Sequence, residues 1–379
     1  MIKVVIALSV LSILNAYVVI RVIGRNRMPL WLALAFFGLQ LLGPFGDRLL
    51  FPILKRFTDV TLPFTVLDWL SYLALGLLAC LFLYGLVADL ARVIWNYAAK
   101  DSTVNFERRA LLTLGGATLG TTVIGVGQAV AGPSVRMVTI PLKGLPPSFD
   151  GFKIAQISDL HVGPMIGRDY TQNVVSITNG LAPDLVALTG DFVDGSVEQL
   201  KDDVAPLADL KSVHGSYYIT GNHEYYWGAA PWIAEFKRLG ARVLSNDHVL
   251  IRRSDDRFIL AGIPDLSTLR NSDIESASAE QALQGSPDGL VKILLAHQPN
   301  SYDMASKAGF DLQISGHTHA GQFFPFSPFI RFFQRYYQGL NRHENLWIYV
   351  NSGTGYWGPP LRTAVPSEIT LITLRSETV

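Results

Sequence analysis

The chain has 379 residues with 31 Lys/Arg against 31 Asp/Glu, and this zero balance conceals a split. Residues 1–130 hold eleven basic and six acidic residues, leaving 20 and 25 for residues 131–379, and all eight histidines lie beyond residue 160. The second part has no basic surplus, which excludes nucleic acid as a partner, and the single cysteine, Cys80, excludes an internal disulfide.

Taken in chain order, four charge-free runs come first: residues 4–20, 28–46, 69–88 and 110–135. A bilayer core of ~30 Å needs about 20 mostly apolar helical residues. The simplest expectation is an all-α, multi-span transmembrane region of about four helices over residues 1–132. The second run is the weakest span, because Gly43-Pro44-Phe45-Gly46 should break it. Its alternative is a buried or interfacial helix. A cleaved signal would account for the first run only. Trp31, Trp69 and Trp95 near the run ends suit interfacial anchors. Asp68 and Asp89 flank the third run, so they do not read as a proton path.

The first and third loops carry seven basic residues against four on the opposite side. The positive-inside rule then puts those loops in the cytoplasm and the C-terminal domain outside. Arg108-Arg109, before a Gly/Thr-rich apolar segment, resembles an internal twin-arginine export signal, or else anchors a span. Both readings put the arginines inside.

Residues 133–151, with Pro133, Pro141, Pro146-Pro147 and Gly151, read as a linker or edge segment. From residue 152 onward, short apolar runs end repeatedly in polar residues. Strands are expected at 152–157, 185–188, 217–219, 258–260, 293–296 and 312–314, with helices at 171–179, 197–210 and 230–239. This alternation implies an α/β domain over 152–379. Ligands in such sheets gather at the carboxyl ends of strands.

Those ends carry Asp159-Leu160-His161, Gly190-Asp191, Gly221-Asn222-His223-Glu224, His297 and Gly316-His317-Thr318-His319. Residues two apart share a face in extended chain, so Asp159 with His161, and His317 with His319, can reach one ion. Glycine before Asp191, Asn222 and His317 permits a sharp turn and close approach. A lone His at a strand end is usually packed or solvated. Five of eight histidines in ordered motifs argue for metal ligation instead. Asp194, three residues after Asp191, belongs at the loop mouth, with a supporting role behind the ligands open to it. His214, His248 and His343 read as surface or structural.

This order of motifs resembles the calcineurin-like metallophosphoesterase superfamily over about residues 150–379. Ser158-Asp159-Leu160-His161-Val162-Gly163, Gly316-His317-Thr318-His319-Ala320-Gly321-Gln322, residues 350–355 and residues 359–362 look like its membrane-linked or exported phosphodiesterase branch. Ala320 departs from that branch, where glycine is common. The resemblance implies a two-sheet β-sandwich flanked by helices. It implies two divalent metal ions (Mn, Fe, Zn or Co), one held by Asp159, His161, Asp191 and His319, the other by Asp191, Asn222, His297 and His317. His223 resembles the family's non-ligand histidine, which would stabilise or protonate the leaving oxygen. The implied reaction is in-line displacement at phosphorus by metal-activated water, with no phospho-enzyme.

Residues 323–337 hold eight aromatics with Arg331 and Arg335 among them. They read either as a loop packed on its own rings or as a membrane-facing lip. With a membrane region upstream, the lip reading suggests a lipid-linked phosphoester or pyrophosphate, and the bilayer itself as partner. The competing readings are a cytoplasm-facing UDP-2,3-diacylglucosamine-type pyrophosphate hydrolase, and a membrane sensor or scaffold with an inactive phosphoesterase domain. A transporter is disfavoured because the runs lack paired intramembrane charges.

Overall fold

The computed structural model describes residues 2–26, 30–45, 62–98, 106–270 and 275–377. It divides into two compact units. The first comprises residues 1–130 with Phe323–Pro325 and Gly358–Thr363, and the second comprises the remainder from Ala131.

Helices α1 (Ile2–Asn26), α2 (Leu30–Phe45), α3 (Leu62–Ala98) and α4 (Phe106–Val130) make up the first unit. Each charge-free run is helical, but the four-span expectation narrows. Among the described residues one helix is long and apolar enough to cross a membrane, over Thr65–Tyr97. The 16 residues of α2 reach about 24 Å at ~1.5 Å per residue, short of the ~30 Å hydrocarbon core. The apolar stretch of α1, Leu8–Arg21, is also short. The fourth run ends early, because helix stops at Val130 and strand begins at Ser134. Gly43-Pro44 does not break α2 before Phe45.

Asp68 and Asp89 lie inside α3 rather than beyond its ends. Polar pairs link the helices, since a buried polar group without a partner costs several kcal/mol in apolar surroundings. The Asn15 and Gln40 amides exchange hydrogen bonds of 2.8 and 3.2 Å between α1 and α2. Asp89 accepts from the Tyr17 hydroxyl at 2.6 Å and pairs with Arg21. Phe324 N–H donates to the Thr363 carbonyl, and Arg362 N–H to that of Gly125. The family-like stretch 359–362 is therefore packed with the helices, with Arg362 fully buried. Arg27, Arg48, Lys55, Arg56 and Lys100, used in counting loop charge, lie outside the described residues.

The second unit holds two six-stranded mixed sheets. In the first sheet, β1 (Ser134–Lys143) pairs with β12 (Glu368–Glu377), followed by β2 (Lys153–Ile157), β3 (Leu185–Thr189), β4 (Ser216–Ile219) and β5 (Arg242–Val243). The second runs β10 (Gly339–His343), β11 (Leu346–Val350), β9 (Leu312–Ser315), β8 (Lys292–Leu295), β7 (Asp256–Gly262) and β6 (Asp247–Arg253). The chain expected to be linker therefore carries an edge strand; Pro141 is tolerated in β1 because that strand has only one neighbour.

Alternate residues explain the burial. Ile154, Leu185, Ile219, Leu260, Ile293, Leu295 and Ile314 fill one core cluster. Their neighbours Ile259, Ala261, Leu294 and Ala296 enter a second cluster with Ala279, Ala282 and Ala305 of the flanking helices. Burial on both faces is why these strands read as unbroken apolar runs, each large side chain contributing about 1.5–3 kcal/mol. Parallel pairing of β2 with β3, of β3 with β4, and of β8 with β9 sends the chain ends of these strands the same way within each sheet. Every candidate ligand lies just beyond such an end.

Candidate metal centre

Asp159 and His161 follow β2, Asp191 follows β3, and Asn222 and His223 open α5 (Asn222–Trp227) after β4. His297 follows β8; His317 and His319 follow β9. Short strands thus deliver all of the expected side chains. The local backbone is unusual: Asp159 (φ 52°), His161 (52°), Asp191 (55°), His317 (72°) and His319 (47°) are all left-handed. Each such non-glycine residue costs about 1–3 kcal/mol, and such strain persists only where the surroundings fix it, most often at functional sites.

Glycine makes the approach possible for two different reasons. Gly190 needs its φ of +87°, and a side chain there would sit 2.8 Å from the His297 ring. Gly221 and Gly316 have ordinary φ, but a Cβ on them would collide with Asp191 and Asp159 respectively.

The contacts form two neighbouring clusters. In one, His161 Nε2 lies 3.0 Å from His319 Nε2, and His319 Nε2 lies 3.4 Å from Asp159 Oδ1. Asp159 is fixed from behind by the Ser158 hydroxyl at 2.6 Å and His317 N–H at 3.0 Å. In the other, His297 Nε2 lies 3.1 Å from Asp191 Oδ2 and 3.2 Å from His317 Nδ1. His297 donates Nδ1–H to the Thr189 carbonyl at 2.8 Å, which leaves Nε2 with its lone pair facing the cluster. His223 N–H donates to Asp191 Oδ1 at 2.8 Å.

Two residues support the candidate ligands, a role the sequence left open for Asp194 and did not assign to Glu224. Asp194 is not merely at the loop mouth, because it accepts from His161 Nδ1 at 3.1 Å and His223 Nδ1 at 2.5 Å. It orients one candidate ligand and the candidate proton donor together. The spacing Asp191-x-x-Asp194 was the available signal. Glu224 is fully buried and accepts the backbone N–H groups of Asp191, Phe192 and Gly221 at 3.1, 2.7 and 2.6 Å. It ties the loop after β3 to that after β4. The stretch 350–355 braces the first loop, with Thr354 and Gly355 N–H donating to the Ser158 and Asp159 carbonyls.

Burial works against ionising Asp191, and the imidazoles of His297, His223 and His161 outweigh it and hold its carboxyl well below the usual range. Burial likewise opposes charge on His223, but Asp191 and Asp194 raise that imidazole to about 9. His297 is raised for the same reason, by Asp191. His317 is lowered, by burial and then by His297. The pattern is that of carboxylates in want of positive charge among crowded ring nitrogens.

Residues 152–321 match the family model for calcineurin-like phosphoesterases. A zebrafish (Danio rerio) protein described as a transmembrane protein with metallophosphoesterase domain is 36% identical over 324 residues, covering 82% of this chain and 74% of its own. The chain belongs to the calcineurin-like metallophosphoesterases. A metallophosphoesterase of Helicobacter pylori is 34% identical over 293 residues, 77% of this chain and 76% of that one. Among solved structures, the NAD nucleotidase of Haemophilus influenzae aligns at TM-score 0.38 and 15% identity over 54% of this chain and 45% of that chain, too distant to add to the assignment.

Metallophosphoesterases are metal-dependent, and the residues present fit divalent cations. Asp159, His161 and His319 offer ligand atoms within 4.8 Å of one another, as do Asp191, His297 and His317. Asn222 Oδ1 is buried without a hydrogen-bond partner, an orphan acceptor of the kind a cation satisfies. Facing imidazole nitrogens at 3.0 and 3.2 Å leave lone pairs that only a proton or a cation can share. A third group, His161, Asp194 and His223, also meets the distance test. Its contacts run through the Nδ1 atoms of both rings, which suits hydrogen bonding behind the site.

The remaining histidines are structural. His214 packs 5.4 Å from the Phe152 ring, His248 bonds the Ala282 carbonyl, and His343 bonds the Tyr336 hydroxyl. Ala320, where the branch commonly has glycine, sits at φ 48°. The aromatic stretch divides: Phe323 and Tyr336 are buried, whereas Phe329, Phe332 and Phe333 are exposed. Arg335 stacks on Tyr302 and Tyr336 at 5.8 and 5.3 Å.

Proposed function

We propose that this chain is a membrane-anchored, binuclear-metal phosphoesterase that hydrolyses a phosphodiester or pyrophosphate bond, on a lipid-linked substrate. The observation that carries the reading is the convergence of two donor sets, each holding a carboxylate and two imidazoles with their ring nitrogens turned inward. Asp159, His161, Asp191 and His319 would hold one ion; Asp191, Asn222, His297 and His317 would hold the other. Bound divalent ions supply Lewis-acid activation of water and of the phosphoryl oxygens. Asp191, which the distances group with His297 and His317, would serve both ions, and Glu224 fixes the loop that carries it. His223, held by Asp194, gives its Nε2 proton to the leaving oxygen.

The membrane reading rests on α3, on relatives described as transmembrane proteins, and on the exposed phenylalanines with Arg331 beside them. A multi-pass anchor with the catalytic domain outside the cytoplasm follows from the loop charges. The test is a panel of mono-, di- and pyrophosphate esters on membranes supplied with each metal, with protease accessibility of the C-terminal domain. Hydrolysis of diesters or pyrophosphates with Mn, Fe, Zn or Co is expected, and the domain is expected to be cut from outside. No hydrolysis with any metal would favour the inactive sensor, and soluble diesters cleaved as well as phospholipids would remove the lipid assignment.

A further inference from the structure

Two largely exposed aromatic rings stand against His223. The Trp357 ring lies 5.6 Å from it at 81°, and the Tyr226 ring 5.1 Å from it at 57°. Both are more than half exposed, at 55% and 58%, although the imidazole between them is buried. A large ring used for packing is ordinarily covered. A single exposed ring needs no explanation, but two on one candidate proton donor do.

Their placement is built. Gln322 clamps the Trp357 backbone from both sides, donating Nε2–H to its carbonyl at 2.8 Å and accepting its N–H at 2.9 Å. Gln322 is buried and lies three residues after His319, with φ 59°. The loop that carries a candidate ligand therefore also fixes the tryptophan. Tyr226 is on α5, three residues after His223, and so shares its helical face.

We propose that Trp357 and Tyr226 form an aromatic subsite that stacks on a planar ring of the leaving group. The lipid-linked substrate then carries a nucleoside or aryl group on its leaving side rather than a group without a planar ring. This rests on the reading of His223 as the group facing the leaving oxygen. Base–aromatic stacking is tolerant of ring type, and each stacked ring is worth about 5- to 100-fold in affinity.

The test is calorimetric titration of the full detergent-solubilised chain, with Mn present, using adenosine 5′-monophosphate and ribose 5-phosphate as probes. They share phosphate and sugar and differ only in the ring. The adenosine probe should bind at least ~10-fold more tightly. Trp357→Ala should remove most of that preference, Trp357→Phe should keep it, and Tyr226→Ala, on a separate element, should reduce it even if Trp357→Ala fails to fold. Equal affinity for the two probes, or a preference untouched by either alanine, overturns the subsite. A ring preference without hydrolysis of any ester would remove the enzyme reading and leave the subsite. Hydrolysis without a ring preference would do the reverse.

Discussion

Asparagine in place of Asp194 leaves the side-chain shape almost unchanged and removes one acceptor. Asp194 now accepts from His161 Nδ1 at 3.1 Å and from His223 Nδ1 at 2.5 Å. Both rings therefore carry a proton on Nδ1, assigned from these bonds; His161 keeps an unprotonated Nε2 beside His319, whereas His223, raised to about 9, carries a second proton on Nε2. Asparagine offers one carbonyl oxygen and one amide nitrogen, and the nitrogen cannot accept. One ring must lose its partner and turn or change tautomer. If it is His161, Nε2 gains a proton and ceases to be a ligand; if it is His223, the proton for the leaving oxygen is misplaced. Loss of such a supporting partner costs about 10–100-fold in metal affinity or turnover. The unmet buried donor costs roughly 1–3 kcal/mol of stability. Metal titration followed by activity and by mass-spectrometric metal content would measure both effects. Asp194→Asn with unchanged metal affinity and unchanged kcat would refute this account of how the rings are held.

His223→Ala should retain the wild-type metal content while kcat falls by about 10²–10⁴; loss of metal would make His223 a ligand instead. Gly221→Ala should depress both metal content and folding yield, since the added methyl meets the Asp191 carboxylate; normal metal content would show that the two loops move apart freely. Ala320→Gly should raise the thermal midpoint, because relief of about 1–2 kcal/mol of left-handed strain exceeds the ~0.4–1 kcal/mol of added chain entropy. A lowered midpoint in a thermal scan would show that Ala320 packs more than it strains.

The central strands were readable because they are buried on both faces, so Leu185–Thr189 and Lys292–Leu295 appear as apolar runs ending in polar chemistry. The edges were not. β1 is mostly exposed and contains Pro141, β10 reads Gly-Leu-Asn-Arg-His, and β6 ends in Arg252-Arg253. Such strands are fixed by pairing partners far along the chain, as Val135 is by Ile369. The candidate ligands were legible because metal chemistry restricts residue type at each loop. Asp194 and Glu224 act through hydrogen bonds to rings and backbone, which residue type alone does not reveal. The helical runs were visible as charge-free segments, but charge-free length did not single out α3, the one helix among the described residues long and apolar enough to cross a membrane.

Under the proposed function, Asp191 would be the residue common to two ions. The direct measurement is metal content per chain of the purified full-length protein after stripping and reloading with Mn, alongside hydrolysis of bis-p-nitrophenyl phosphate, for the wild type and Asp191→Ala. Two ions and Mn-dependent turnover are expected for the wild type, and loss of both ions and of turnover for the variant. Full metal content and turnover in Asp191→Ala would contradict that shared role.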